Sequence, residues 1–124
     1  MRYVNQHIIH CSDSTGGNVN DIREWHLARG WDDVGYHFVI LKDGTIELGR
    51  PLENIGAHCK GQNTHSVGTC LIGVDSFTKL QFAALNRLHH TLRLLFNDIQ
   101  PFGHRDFTDK KTCPNFEVRE VIVP

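Results

Sequence analysis

The chain has 124 residues, 40% of them hydrophobic and 22% charged, enough for one globular domain that buries its core without help from disulfides. A formal net charge of −1 excludes the broad basic face of a nucleic-acid binder or of a protein held on an anionic membrane. No segment reaches membrane-spanning length and "MRYVNQHIIHCSDS" carries no signal-peptide run, so synthesis in the cytoplasm is expected.

Ile8 to Cys11 is a short apolar run that predicts a buried strand, ending in the turn-rich "SDSTGGN". Asn20 or Asp21 is a candidate cap for a helix carrying Ile22, Trp25, His26 and Arg29, closed by Gly30. "YHFVILKDGTIEL" is the plainest hairpin signal, two β-rich runs joined through Asp43-Gly44. Val67 to Val74 predicts another buried strand, with glycines where backbone or ligand approaches closely. Thr78 and Gln81 make a capping box ahead of a long helix whose Leu85, Leu88, Leu92 and Leu95 form a core-facing stripe. His89 and His90 on that helix read as surface or boundary residues. "CPNFEVREV" predicts a short last helix with Pro114 near its first turn. Helices interleaved with strands give an α/β or α+β domain.

Nine histidines are many for a chain of this size, and the four cysteines form no C-x-x-C pair, which excludes a four-cysteine zinc ribbon. "GHRDFTDKKTCPNF" places His104 and Cys113 on one loop, long enough to turn both toward a single ion. A catalytic zinc site needs three protein ligands and one open position, and His10, near the end of the first strand, is the best third candidate. Each of the three also has an ordinary structural reading as a packed cysteine or a satisfied strand histidine. Trp25, Trp31 and Phe38 read as core. Cys11 reads as buried packing, and strand alternation points His37 away from Tyr36.

"IIHCSDS", "REWHLARGWDDVGYHFVILKDGTIELGRPLENIGAHCKGQNTHSVGTCLIG" and "GHRDFTDKKTCPNF" together resemble the zinc-dependent N-acetylmuramoyl-L-alanine amidases of the phage lysozyme type. Those enzymes share their fold with the peptidoglycan recognition proteins, and the resemblance runs from about Val4 to Phe116. It implies one amidase domain over residues 1–124, an α/β fold with a central mixed sheet flanked by helices, and a zinc-floored groove. It further implies His10, His104 and Cys113 as Zn2+ ligands, Tyr36 and Lys111 as catalytic groups, and His58 along the substrate groove. Asn63, at a turn beside that groove, is a further candidate substrate contact. The implied activity is hydrolysis of the bond between N-acetylmuramic acid and L-alanine in peptidoglycan, by an endolysin-like protein that reaches the wall after release or delivery. A monomer is expected, without a nucleic-acid or membrane partner. The alternative is a recognition module of the same fold that binds wall fragments without cutting them.

Overall fold

The computed structural model describes residues 1–123 and has eight regular elements. In chain order these are β1 (Gln6–Cys11), α1 (Val19–Ala28), β2 (Phe38–Ile40), β3 (Ile46–Leu48), β4 (Ser66–Leu71), α2 (Lys79–Leu95), β5 (Gln100–Gly103) and α3 (Val118–Val121). The strands form one mixed sheet in the order β3-β2-β4-β1-β5, with only the β2–β3 hairpin antiparallel. This is the expected α/β class with a central mixed sheet.

Strand alternation sorts the core into two layers. Ile9, Val67, Leu71, Phe38 and Ile40 pack with α2 and α3, while Val39, Cys70 and Ile72 pack with Val19 and Ile22 of α1. Leu85, Leu88 and Leu92 are buried in the first layer, but Leu95 is 56% exposed. Phe96 and Ile99 fill the core at that end of α2, so the stripe stops one turn earlier than its spacing predicts.

Local chemistry explains most boundaries. Thr78 and Gln81 do form a reciprocal capping box, with Gln81 N–H donating to Thr78 Oγ1 at 3.1 Å and Thr78 N–H to Gln81 Oε1 at 2.9 Å. The cap of α1 is Asn18, two residues before Asn20 and three before Asp21, the expected candidates. Its Oδ1 accepts from the amides of Asn20 and Asp21 at 2.9 and 3.1 Å, and the Asp21 carboxylate accepts from Asn18 N–H at 3.0 Å. The Asp43-Gly44 turn closes the hairpin, with Gly44 at φ +88°. The last helix starts later than expected: Glu117 caps it, and Pro114 lies in the preceding loop rather than in its first turn.

β5 is the element the sequence hides. "QPFG" carries a proline and no β-branched residue, yet it pairs in parallel with β1 at the sheet edge, where a missing amide is tolerated. The register Ile9↔Gly103 sets the residues that follow, His10 and His104, side by side at the carboxyl end of the sheet.

Candidate active site

Ligand pockets in open α/β sheets lie outside the carboxyl ends of the parallel strands, and the main groove here occupies that position. It is an open cavity of about 810 Å³ lined by residues that include His10, Tyr36, His58, His104, Lys111 and Cys113. Its floor is built from three chain segments. β1 delivers His10, which is 2% exposed, and the turn after β5 delivers His104, with ring centroids 4.7 Å apart. The loop carrying Cys113 folds back onto both, where Arg105 N–H donates to the Cys113 carbonyl at 2.9 Å and Cys11 N–H donates to Cys113 Sγ at 3.0 Å. Gly103 permits this return, because a β-carbon there would stand 2.9 Å from Pro114 Cδ. The potential ligand atoms of His10, His104 and Cys113 all lie within 4.8 Å of one another.

Electrostatics at the floor favour neutral imidazoles. Burial, then the rings of His58 and His104, hold His10 well below the ordinary histidine range. Burial and then Lys111 lower His104. The adjoining Cys11 thiol and burial both push the Cys113 thiol up, since two thiols in contact do not ionise together. Cys11 is buried as expected, yet its sulfur borders the groove and accepts from Asn115 Nδ2 at 3.7 Å.

Tyr36 is half-buried with its ring centroid 5.0 Å from that of His10. Burial raises its hydroxyl well above the ordinary tyrosine value, so it is a donor at neutral pH. Lys110 and Lys111 are both exposed on the groove rim, but Lys111 is the one whose charge acts on His10 and His104. His58 and Asn63 line the groove wall. Asn63 Oδ1 accepts from the backbone N–H groups of His58 and Cys59, both at 3.0 Å, so its oxygen is built into the turn.

Some side chains sit differently from the reading of the sequence. Tyr36 and His37 precede β2, so strand alternation does not separate them, and their rings lie 6.5 and 5.9 Å from that of His58. His37 is 1% exposed, and its Nδ1 accepts from Gly68 N–H at 3.1 Å, which puts its proton on Nε2 facing the Asn54 carbonyl at 2.8 Å. Of the three aromatics read as core only Phe38 is buried: Trp25 is 42% exposed, and Trp31 is 36% exposed on the groove with the Arg29 guanidinium 5.8 Å from its ring centroid. His26, visible in the sequence only as a helix residue, also lines the groove, and its Nδ1 accepts from Gly35 N–H at 2.8 Å. No spacing signal marks Trp31 or His26, because the loop that turns Trp31 back onto α1 has no fixed period.

The N-acetylmuramoyl-L-alanine amidase family model matches residues 1–116. The chain is 40% identical over 130 residues to an endolysin of Enterobacteria phage K11, covering 96% of this chain and 85% of that one. It is 38% identical over 122 residues to an endolysin of Escherichia phage T7, covering 90% and 80% of the two chains. The fold is similar to that of the N-acetylmuramoyl-L-alanine amidase LysC from Clostridium intestinale URNW, with a TM-score of 0.90, 30% identity, and coverage of 97% of this chain and 83% of that one. A match that spans the sheet, the groove and both halves of the His/His/Cys cluster leaves one conclusion, that this chain belongs to the N-acetylmuramoyl-L-alanine amidase family.

Proposed function

We propose that His10, His104 and Cys113 hold a zinc ion at the floor of the groove, and that this centre cuts the amide between N-acetylmuramic acid and L-alanine of peptidoglycan. The observation that carries the reading is the cluster itself, two imidazoles and one thiol converging within 4.8 Å at the bottom of an open groove. Three protein ligands with access from solvent are the pattern of a catalytic zinc rather than a structural one. The donors suit that ion. Both histidines are held neutral, which is the ligating form, and the Cys11 N–H aimed at Cys113 Sγ favours thiolate once a cation offsets the contact with Cys11.

When bound, zinc supplies Lewis-acid polarisation of the amide and lowers the pKa of water. The protein's own groups do the rest. Tyr36 keeps its phenolic proton, so its Oη can orient the attacking water and pass a proton toward the leaving nitrogen. Lys111 presents a fixed positive charge beside the cluster, suited to the amide oxygen as negative charge develops there. Asn63 stands on the groove wall along which the substrate runs, and the exposed face of Trp31 offers an apolar surface for a sugar or a stem-peptide methyl group. Every group in this scheme comes from one chain, so a monomer suffices. Among the described residues no helix is long and apolar enough to cross a membrane, and we propose that the protein meets the wall after release or delivery.

Mass spectrometry of digested sacculi tests the function. Free stem peptides with a new L-alanine amino terminus are expected, with the glycan strands uncut. A chelator should stop the release and added zinc restore it. New reducing ends on glycans whose stem peptides remain attached would refute amide cleavage. Binding of sacculi without release at full zinc loading would make the chain a recognition module.

A further inference from the structure

His58 lines the groove wall, yet its side chain is 9% exposed and both ring nitrogens are engaged inside the protein. Nδ1 lies 2.9 Å from His10 Nε2, and Nε2 lies 3.2 Å from Ser66 Oγ, which is fully buried on β4. The ring stands edge-on to that of His10, at an interplanar angle of 89° and a centroid distance of 5.0 Å.

The surrounding backbone is shaped around this imidazole. A β-carbon at Gly68 would stand 2.5 Å from His58 Cγ, and one at Gly56 would stand 2.7 Å from His58 Cδ2. Two glycines therefore clamp the ring from the β4 side and from its own loop, while Asn63 fixes the backbone that carries it. A side chain meant only to touch a substrate needs a free polar atom in the groove. This one has both nitrogens turned inward.

We infer that His58 is a positioning residue for His10: it fixes the tautomer and the ring plane of that histidine instead of contacting the substrate. The inference rests on the metal reading above. Because His58 occupies Nε2 of His10, Nδ1 is the His10 nitrogen left for a cation. A neutral imidazole that gives its Nδ1 lone pair to a metal carries its proton on Nε2. That proton is then donated to His58 Nδ1, which leaves the His58 proton on Nε2, directed at Ser66 Oγ. The series His10, His58, Ser66 thus has one consistent direction of donation, and it ends on a buried hydroxyl. Partners of this kind orient a ligating histidine and raise its basicity, and their loss weakens metal affinity about 10–100-fold.

The test is zinc affinity of the full chain, measured by competition with a chromophoric chelator, for the wild type, His58→Phe, His58→Gln and Ser66→Ala. His58→Phe should bind zinc about 10–100-fold more weakly. His58→Gln, whose amide oxygen can accept from His10 Nε2–H, should recover most of that loss. Ser66→Ala should show a smaller loss in the same direction. At saturating zinc, KM for a soluble muropeptide should stay near the wild-type value in all three variants. If His58→Phe binds zinc within twofold of wild type while KM rises, His58 is a substrate contact and the inference fails. Should His58→Phe not fold, zinc affinities of His58→Gln and Ser66→Ala both indistinguishable from wild type with raised KM overturn it equally. A wild-type protein that takes up no zinc refutes the metal reading itself, which is a separate outcome.

Discussion

Acid should weaken the fold through a buried pair of imidazoles that does not line the groove. His7 on β1 and His89 on α2 are 0% and 2% exposed, stacked with their planes 4° apart and their Nδ1 atoms 3.0 Å from each other. His7 Nε2 is also 2.7 Å from Thr69 Oγ1, so the pair is satisfied only while it is neutral. Burial first, and then His90 and Arg93, lower His89 to about 4. In the unfolded chain the same group titrates near its ordinary value of about 6.5. The folded pKa is depressed, so the unfolded state takes the proton first as pH falls. The contribution of His89 is whole above about pH 6.5 and is lost progressively down to about pH 4. At pH 5 the unfolded state is favoured by about 1.5 pH units of protonation, or about 2 kcal/mol. His7, held well below its ordinary value by burial and then by His89, adds to the loss. Urea unfolding of the wild type and of His89→Gln at pH 8 and pH 5, with chelator in every sample, isolates this part. Between the two pH values the wild type should lose about 2 kcal/mol more than the variant. Stability curves that run parallel to within about 0.5 kcal/mol would refute the reasoning, since distant titrations common to both proteins cancel.

The remaining predictions concern the groove and one helix end. His10→Ala, His104→Ala and Cys113→Ala should each lose zinc by elemental analysis, and full occupancy in all three would rule out the assigned ligand set. Lys111→Ala and Tyr36→Phe should keep fold and zinc while kcat falls about a hundredfold for the loss of a transition-state donor. Lys110→Ala should stay near normal in the same assay, and the reverse ranking of the two lysines would shift the role to Lys110. Thr78→Ala should cost about 1 kcal/mol in urea unfolding by removing the capping box of α2, and no change would mean that other contacts hold that end.

The sequence was most legible where a residue's role is local. The Thr78/Gln81 box, the Asp43-Gly44 turn and the apolar runs of β1 and β4 depend on neighbours a few positions away, and each is found at its pattern, although β4 ends at Leu71 where the run predicted a strand to Val74. The residues that converge on the groove come from distant segments: the need for a third ligand offered His10 as a candidate beside His104 and Cys113, and the family resemblance is what singled out Tyr36 and Lys111. β5 escaped because its pairing with β1 is set by tertiary register and overrides the low strand preference of Gln100–Gly103. His89 escaped for a similar reason: periodicity places it beside the leucine stripe, but nothing local reveals that His7 stands opposite. Trp31 reads as core from its type alone, and its exposure follows from the path of a loop.

The clustering of residue 10 with residues 104 and 113 also has a bearing on when the protein becomes active. A bond through these side chains would tie together chain positions about 100 residues apart, a closure whose loss of unfolded-state entropy approaches that of a long-loop disulfide, about 4–5 kcal/mol. Such a clasp cannot form on a nascent chain whose last loop is still inside the ribosome. The first strand must wait, with its histidine unpaired, until the segment that carries residues 104 to 113 has emerged. With the proposed ligand set, an amino-terminal fragment that stops short of residue 104 carries one of the three ligands and no centre, so activity waits on contacts between segments made far apart in time.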